Sequence, residues 1–488
     1  MRVILLSEQS DSFFIKKNID FYDIFFKAKE RICVLRNVLG VVLQRMVVIM
    51  MNSYVNSLSI LNVLNKNYAA MHKSMLRLST GQRINSAADD PSGWAIGTRM
   101  SVEIRALDQA RRNAQSSQSM LKVADGAVSS TVDIIRTLKE KALAAANGTM
   151  TDADRRNVQK EFDQLIDQID DNAYVTFNGQ YLVDGSHNSS GNASQQAFTN
   201  QSMSEDTTFA TKLTDLKKRN GDDMNIQDTD TVNVSYVKDG KTYTTSFSAK
   251  DKSLGDIFKE ANKLNNNANV FDTADLDSTT TTNVIGEDAN GNEKKTPSGK
   301  NAITVKAAEK GLDGSLSGFT ISVTDSNGNV RKDVNAALDD FSETIMPRNA
   351  SGDDALKFQV GTKSNQTLNV GLGNMTSRGL GLKGADGSVI NVSSADAANA
   401  AISVLDNALN RALDQSTTIG AVYSRLDYTI DNLTTQSENL TDAMSVIMDA
   451  DMAKEATEYA RNNVLMQAAQ AMLAQSNQNA TWFLSLLQ

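Results

Sequence analysis

Residues able to do chemistry are scarce in this 488-residue chain, and their spacing does not let them cooperate. Two histidines, His72 and His187, and one cysteine, Cys33, are all it offers as soft metal ligands or thiol nucleophiles. A zinc centre of His and Cys needs three or four ligands, and a disulfide framework needs pairs of cysteines, so neither can be built. No H-E-x-x-H, G-x-S-x-G or Walker lysine loop occurs. Asp288-Ala289-Asn290-Gly291-Asn292 opens like a calcium loop. It lacks the glycine at position six and the glutamate at position twelve, and reads as a β-turn. The carboxylate pairs Asp89-Asp90 and Asp170-Asp171 fall at expected helix ends, where acids cap rather than catalyse. Asn-x-Ser/Thr triplets at Asn188, Asn192, Asn349 and Asn391 follow from a composition rich in Asn, Ser and Thr. Those at Asn432 and Asn439 sit inside a helical repeat, so none is read as a glycosylation site. The expectation is a protein with no enzymatic activity, no cofactor and no metal.

The elements that would have to carry any site are better defined. A net charge of −9 and a pI near 5.0 argue against nucleic acid as a partner, which needs a basic face. No run reaches the 18 apolar residues of a membrane helix, so no membrane insertion is expected. With 6% aromatics and three prolines, the chain is suited to long helices rather than a compact enzyme core.

Three apolar stripes repeat with alternating steps of three and four. The first is Leu61, Leu64, Tyr68, Met71, Met75 and Leu78. The second runs from Leu107 through Ala110, Ala114, Ser117, Leu121, Ala124, Val128, Thr131, Ile135, Leu138 and Ala142 to Ala145. The third runs from Leu405 and Leu409 through Leu426, Ile430, Leu433 and Leu440 to Ile447. A sustained seven-residue repeat keeps one seam toward a partner helix. Ala and Ser on the second stripe bury little per contact, so the seam should depend on the other terminus or on neighbouring subunits. Asp90-Pro91-Ser92 and Thr151-Asp152 mark helix starts, and Asn178-Gly179 between β-prone runs marks a hairpin.

Residues 187–395 differ, with Asn/Ser/Gly clusters separating short alternating runs and one helix pattern at Leu254–Leu264; they read as a β-rich insertion. The fold class expected is mainly α with a β insertion. Both termini form a long antiparallel coiled coil or helical bundle, and a hairpin and a β-rich variable domain lie between them. Residues 1–49 stand apart: they hold Cys33 and five of the 16 Phe, and carry +3 against −12 for the remainder. They read as a disordered extension or as a start assigned too far upstream, with translation beginning at Met46 or Met50.

At residues 76–100, LRLSTGQRINSAADDPSGWAIGTRM, the chain resembles the bacterial flagellins, with Arg83, Ile84, Asn85, Ser86, Asp89, Asp90 and Gly93 at the family's motif positions. The likeness continues through FNGQYLVDGS, with Asn178 and Gly179, and resumes in GAVYSRLDYTIDNLTTQSENLTDAMSVIMDADMAKE and AAQAMLAQSNQNATWFLSLL. It departs from the family at Pro91, at Trp94 and at Ala480-Thr481-Trp482, and its opening is Met50-Met51-Asn52-Ser53-Tyr54.

The resemblance implies an extracellular filament subunit for swimming, exported through the flagellar type III apparatus. It would have a helical region at 50–186 with the hairpin, a surface-exposed region at 187–395 and a helical region at 396–488. Polymerisation would use the stripe residues together with Met472, Leu473, Leu484 and Leu487. Implied partners are other copies of the chain, the flagellar cap and hook-junction proteins, an export chaperone at the C-terminal helices and, weakly, a host Toll-like receptor. The receptor would meet the face of Thr137, Glu140, Lys141 and Glu161, where an arginine and a leucine usual in the family are missing. Two other readings are a hook–filament junction protein of the same family, and a flagellin-like carrier of an adhesive or enzymatic insert.

Overall fold

The computed structural model describes residues 11–264, 269–274 and 276–485. In chain order the elements are α1 (Asp11–Thr80), α2 (Pro91–Ala146), α3 (Asp152–Ala173), β1 (Thr176–Phe177), β2 (Gln180–Tyr181), β3 (Gln195–Asn200), β4 (Thr231–Lys238) and β5 (Lys241–Ser248). There follow α4 (Leu254–Asn262), β6 (Val284–Glu287), β7 (Glu293–Lys295), β8 (Ile303–Lys310), β9 (Gly318–Thr324), α5 (Lys332–Leu338), β10 (Phe341–Ile345), β11 (Leu356–Gln359), β12 (Thr367–Val370), α6 (Ala395–Met448) and α7 (Met452–Ser485). The order is helices, then strands, then helices, as expected from the sequence. The chain divides into two units, residues 1–102 with 439–488, and residues 103–438.

In the larger unit α2 and α6 run antiparallel: Gln118 bonds Asp427, Ser416 lies near Asp125, and Lys139 pairs with Asp406. All twelve positions of the second stripe, Leu107 to Ala145, are buried, and every position of the third is at least half-buried. α3 packs Phe162, Ile166 and Ile169 into the same core. Thr151 and Asp154 form a reciprocal capping box at its start. The buried Arg155 then ties the turn by donating from Nε to the Ala145 carbonyl at 2.7 Å and from Nη2 to that of Asn147 at 2.9 Å. Asn178 and Gly179 take positive φ, +53° and +81°, as a two-residue hairpin requires.

The β insertion has a separate core of Phe198, Tyr236, Phe258, Phe271, Phe319 and their neighbours, set between two antiparallel three-stranded sheets, β10-β3-β8 and β5-β4-β9. α4 begins at a Ser253/Asp256 capping box. This core spans residues 198–341, narrower than the 187–395 suggested by composition. Residues 356–392, including the β11–β12 hairpin, bury Leu368, Val370, Leu372, Leu380, Leu382 and Ile390 in the helical core instead. The Asp288–Asn292 segment is a turn between β6 and β7, with the Asp288 carboxylate accepting the Asn290 and Asn292 N–H groups.

α1 starts at Asp11, inside the segment read from the sequence as an unmatched extension. Its 70 residues contain no proline and one glycine, Gly40, so no strong breaker interrupts the helix. Among the described residues, no helix is long and apolar enough to cross a membrane, and no cluster of three His, Cys, Asp or Glu could hold a metal.

Candidate assembly surface

In the smaller unit α1 and α7 lie antiparallel. Ser57 and Ser476 hydroxyls meet at 2.8 Å toward one end, and Arg77 Nη1 donates to Glu455 Oε1 at 3.0 Å toward the other. The faces turned toward each other carry Ile60, Leu64, Asn67, Met71, Ser74 and Leu78 on α1, and Glu455, Asn462, Met466, Ala469 and Leu473 on α7. Leu64, Met71 and Leu78 of the first stripe are therefore in this seam. Leu61, Tyr68 and Met75 are not: they are 40%, 57% and 45% exposed. The covered face is shifted by one residue, to Ile60, Asn67 and Ser74. Of the C-terminal candidates, Leu473 is half-buried and Met472 is 60% exposed. The Leu484 side chain and the whole of Leu487 lie outside the described residues.

Outside the seam both helices present apolar side chains to solvent. Tyr54, Val55, Leu58, Val63 and Leu76 on α1, with Val464, Leu465 and Trp482 on α7, are all exposed. A folded monomer rarely leaves so much apolar surface uncovered, and such surface marks an interaction site.

The segment joining α1 to α2 is stitched to the joint between α6 and α7. Arg83 donates from its backbone N–H to the Met448 carbonyl at 2.7 Å and from Nη2 to that of Ile447 at 2.5 Å. Ala450 N donates to the Gly81 carbonyl at 2.9 Å, and Ile84 is 1% exposed. Asp89 accepts from Asn85 N and Ser86 Oγ, both at 3.3 Å. The Lys73 ammonium, 2.8 Å away, bonds the Asp89 carboxyl and holds it below its ordinary pKa. Asp90 Oδ1 accepts the N–H groups of Ser92 and Gly93 at 3.1 and 3.0 Å, which caps α2 ahead of Pro91. A Cβ on Gly93 would stand 2.5 Å from Asp90 Oδ2 and 2.6 Å from Ile84 Cδ1, so the motif glycine is fixed by space. The motif residues thus fasten the α1–α2 connection to the α6–α7 joint.

The bacterial flagellin N-terminal helical region matches residues 51–188, and the bacterial flagellin C-terminal helical region matches residues 402–487. The flagellin of Clostridium tyrobutyricum is 32% identical over 429 residues, covering 87% of this chain and 97% of its own. The chain belongs to the bacterial flagellins. The B-type flagellin of Pseudomonas aeruginosa is 30% identical, with 89% of this chain and 99% of the relative covered. The flagellin of Bacillus subtilis is 27% identical at the same coverage. As a member of the family the chain is a structural subunit of the extracellular flagellar filament, which favours that reading over the junction protein.

Leu121, Val128, Ile135, Leu138, Leu405 and Leu426 belong to the core of the helical body, and Leu409 and Ile430 pack against it. Leu107 and Leu433 are buried as well, and Leu440 is half-buried. On the suggested receptor face Lys141 pairs with Glu161 at 2.9 Å, Thr137 Oγ donates to the Asp133 carbonyl, and Glu140 is exposed. Sequence reading missed the polar members of the α1–α7 seam. The available signal was the fall of Asn67, Ser74 and Arg77 on one helical face.

Proposed function

We propose that the outer faces of α1 and α7 are the surfaces through which copies of the chain polymerise. The observation that carries this is the apolar surface left on both helices while their mutual seam is partly polar. The seam closes at one end on the part-buried ion pair Arg77–Glu455 and at the other on the Ser57–Ser476 hydrogen bond, polar contacts that bury little apolar surface. Neighbouring subunits would supply the missing burial, so the terminal helices should order fully only on assembly. Removing residues 468–488 takes away Met472, Leu473, Leu484 and Leu487 and should abolish filament formation seen by electron microscopy. Filaments of normal length and form from the truncated chain would overturn the assignment.

The same reading divides the chain into a helical region at 50–186, a variable outward region at 187–395 and a helical region at 396–488. The family supports flagellar assembly partners. We infer that the cap and hook-junction proteins meet the ends of the polymer through the terminal helices, and that an export chaperone binds the C-terminal helices before secretion by the type III route. Contact with a Toll-like receptor is inferred to be weak. Lys141 is held by Glu161 where the family offers an apolar anchor, and Thr137 replaces an arginine; arginine and apolar anchors dominate interface energetics.

A further inference from the structure

The two edges of the β5-β4-β9 sheet are treated differently. On the β9 side, α5 closes the edge. Ile321 N donates to Asp339 Oδ1 at 2.6 Å, Val323 N donates to Asn335 Oδ1 at 2.8 Å, and Arg331 N reaches the Val323 carbonyl at 2.9 Å. An uncovered edge is a template for further strand pairing, and these side chains remove it.

β5 has no such cover. Its turn with β4, Asp239-Gly240, has φ of +50° and +73°, the two-residue type I′ form. Lys238 and Lys241 therefore close the hairpin as a hydrogen-bonded pair. The ladder alternates from there, so residues 241, 243, 245 and 247 bond to β4. Ala249 N donating to the Asp230 carbonyl at 2.8 Å continues the same phase. Thr242, Thr244 and Ser246 consequently aim their backbone groups away from the sheet. Among the described residues no hydrogen bond reaches their N–H groups.

Beside this edge lies a cleft of about 710 Å³, a size that accepts a short stretch of extended chain. Thr242 and Thr244 line it together with Asp163 of α3 and with Asn391, Ser394 and Asp396 at the entry to α6. Its walls are acidic and uncompensated. Asp163 Oδ1 meets Gln159 Nε2 at 2.8 Å, and Asp396 has no ion pair among the described residues. Lys241, the lysine of the lining, is engaged by Asp386 at 2.6 Å. The Thr242 hydroxyl is buried without a hydrogen-bond partner.

The geometry points to β5 and this cleft as a docking site for an extended, basic polypeptide segment that adds to the sheet as a fourth strand. Main-chain pairing with the outward groups of Thr242, Thr244 and Ser246 supplies affinity without regard to sequence. Side chains alternate along a strand. Every second residue of the segment therefore enters the cleft, where a lysine or arginine meets Asp163 and Asp396 in charge-assisted hydrogen bonds. Acidic segments are repelled by the same two carboxylates.

The test is fluorescence anisotropy with the full chain and a labelled eight-residue peptide of alternating threonine and lysine. The alternating threonine–glutamate peptide and a threonine–lysine peptide N-methylated at every second residue are controls. The lysine peptide should bind, and the glutamate peptide should not. N-methylation on one of the two alternating sets should weaken binding roughly tenfold or more, since it blocks the ladder without touching the protein. Thr244→Pro, which removes an outward donor, and Asp163→Asn with Asp396→Asn should each weaken it comparably. No binding of the lysine peptide would overturn the proposal. So would equal binding of both N-methylated sets and the parent peptide, which is the signature of general attraction to an acidic surface.

Discussion

Glu343→Leu should destabilise the larger unit more than any surface substitution, because of what it leaves behind on α6. Arg411 and Glu343 are 7% and 4% exposed. The guanidinium forks onto the carboxylate, with Nε to Oε2 at 3.0 Å and Nη2 to Oε1 at 2.5 Å. Nη1 donates to the Gly379 carbonyl at 3.2 Å, and Gln196 Nε2 donates to Glu343 Oε1 at 2.6 Å. Removing the carboxylate leaves a buried cation holding one carbonyl and takes one of two bonds from Gln196 Nε2, which keeps the Leu316 carbonyl at 2.8 Å. Breaking one side of a buried pair costs about 3–5 kcal/mol, and the retained Gly379 bond places this case near the lower figure. Arg411→Met combined with Glu343→Leu removes both charges and should recover to within about 1 kcal/mol of the parent. Urea unfolding of depolymerised chain followed by circular dichroism measures the cycle. Hydrogen exchange in peptides covering β10 and the middle of α6 localises it. A cost below about 1 kcal/mol for Glu343→Leu, or a double variant as weak as the single, would refute the claim that the buried charge dominates.

Other substitutions test separate parts of the same argument. Tyr236 is fully buried, its hydroxyl has no partner, and burial pushes its pKa up to about 12. Tyr236→Phe should therefore be neutral or stabilising by about 1 kcal/mol in thermal melting; a loss of that size would reveal a bond to the hydroxyl. Burial pushes the Asp339 carboxyl up to about 7 from its ordinary 3.8. The folded state then holds a proton that the unfolded state releases, so stability falls as pH rises from about 4 to about 7. Asp339→Asn, which still offers an oxygen to Ile321 N, should flatten that window and stabilise at pH 8 by on the order of 2 kcal/mol. This is less than the full shift because the residue keeps some exposure. An unchanged pH profile would count against it. In a reporter-cell titration the chain should activate the Toll-like receptor less than a flagellin carrying arginine at the position of Thr137, and equal potency would remove that reading.

Much of the fold could be read from the sequence wherever apolar residues serve only the interior of one chain. α2 is such a case: Leu, Val, Ile and Ala recur at fixed steps, and all twelve positions are buried. The boundary of the insertion was less legible. Alternation reveals a strand, but it does not say which core the strand joins, and Leu368, Val370 and Leu372 join the helical one. The Arg411–Glu343 contact was invisible because 68 residues of varied structure separate its members. The motif at 83–93 could be recognised as a pattern, while its physical role appears only when Arg83 is seen against the carbonyls of Ile447 and Met448.

The first stripe misleads for a more informative reason. Periodicity measures where apolar side chains fall on a helix, and it is silent about what will cover them. In α1 the strongest stripe takes in Leu61, Tyr68 and Met75, yet the face against α7 takes Asn67 and Ser74 instead. A chain stable by itself would have placed its apolar residues inward, since each fully buried leucine contributes roughly 1.5–3 kcal/mol. Here that surface is held back from the monomer. It can lower the free energy only when another molecule lies against it, and under the proposed polymerisation surface that would couple the order of α1 and α7 to assembly. On the proposed assignment of the outer faces to polymerisation, the one-residue offset between the apolar stripe and the intramolecular seam is what assembly would leave in the sequence. Shifting the apolar residues by one position, with Asn67→Leu and Ser74→Leu, should make the free helix pair more stable, while Leu61→Ser and Tyr68→Ser should cost filaments and leave the pair intact. Circular dichroism of the monomer and sedimentation of the polymer would separate the two effects. Loss of monomer helicity in the Leu61 and Tyr68 variants would show that these residues serve the seam after all.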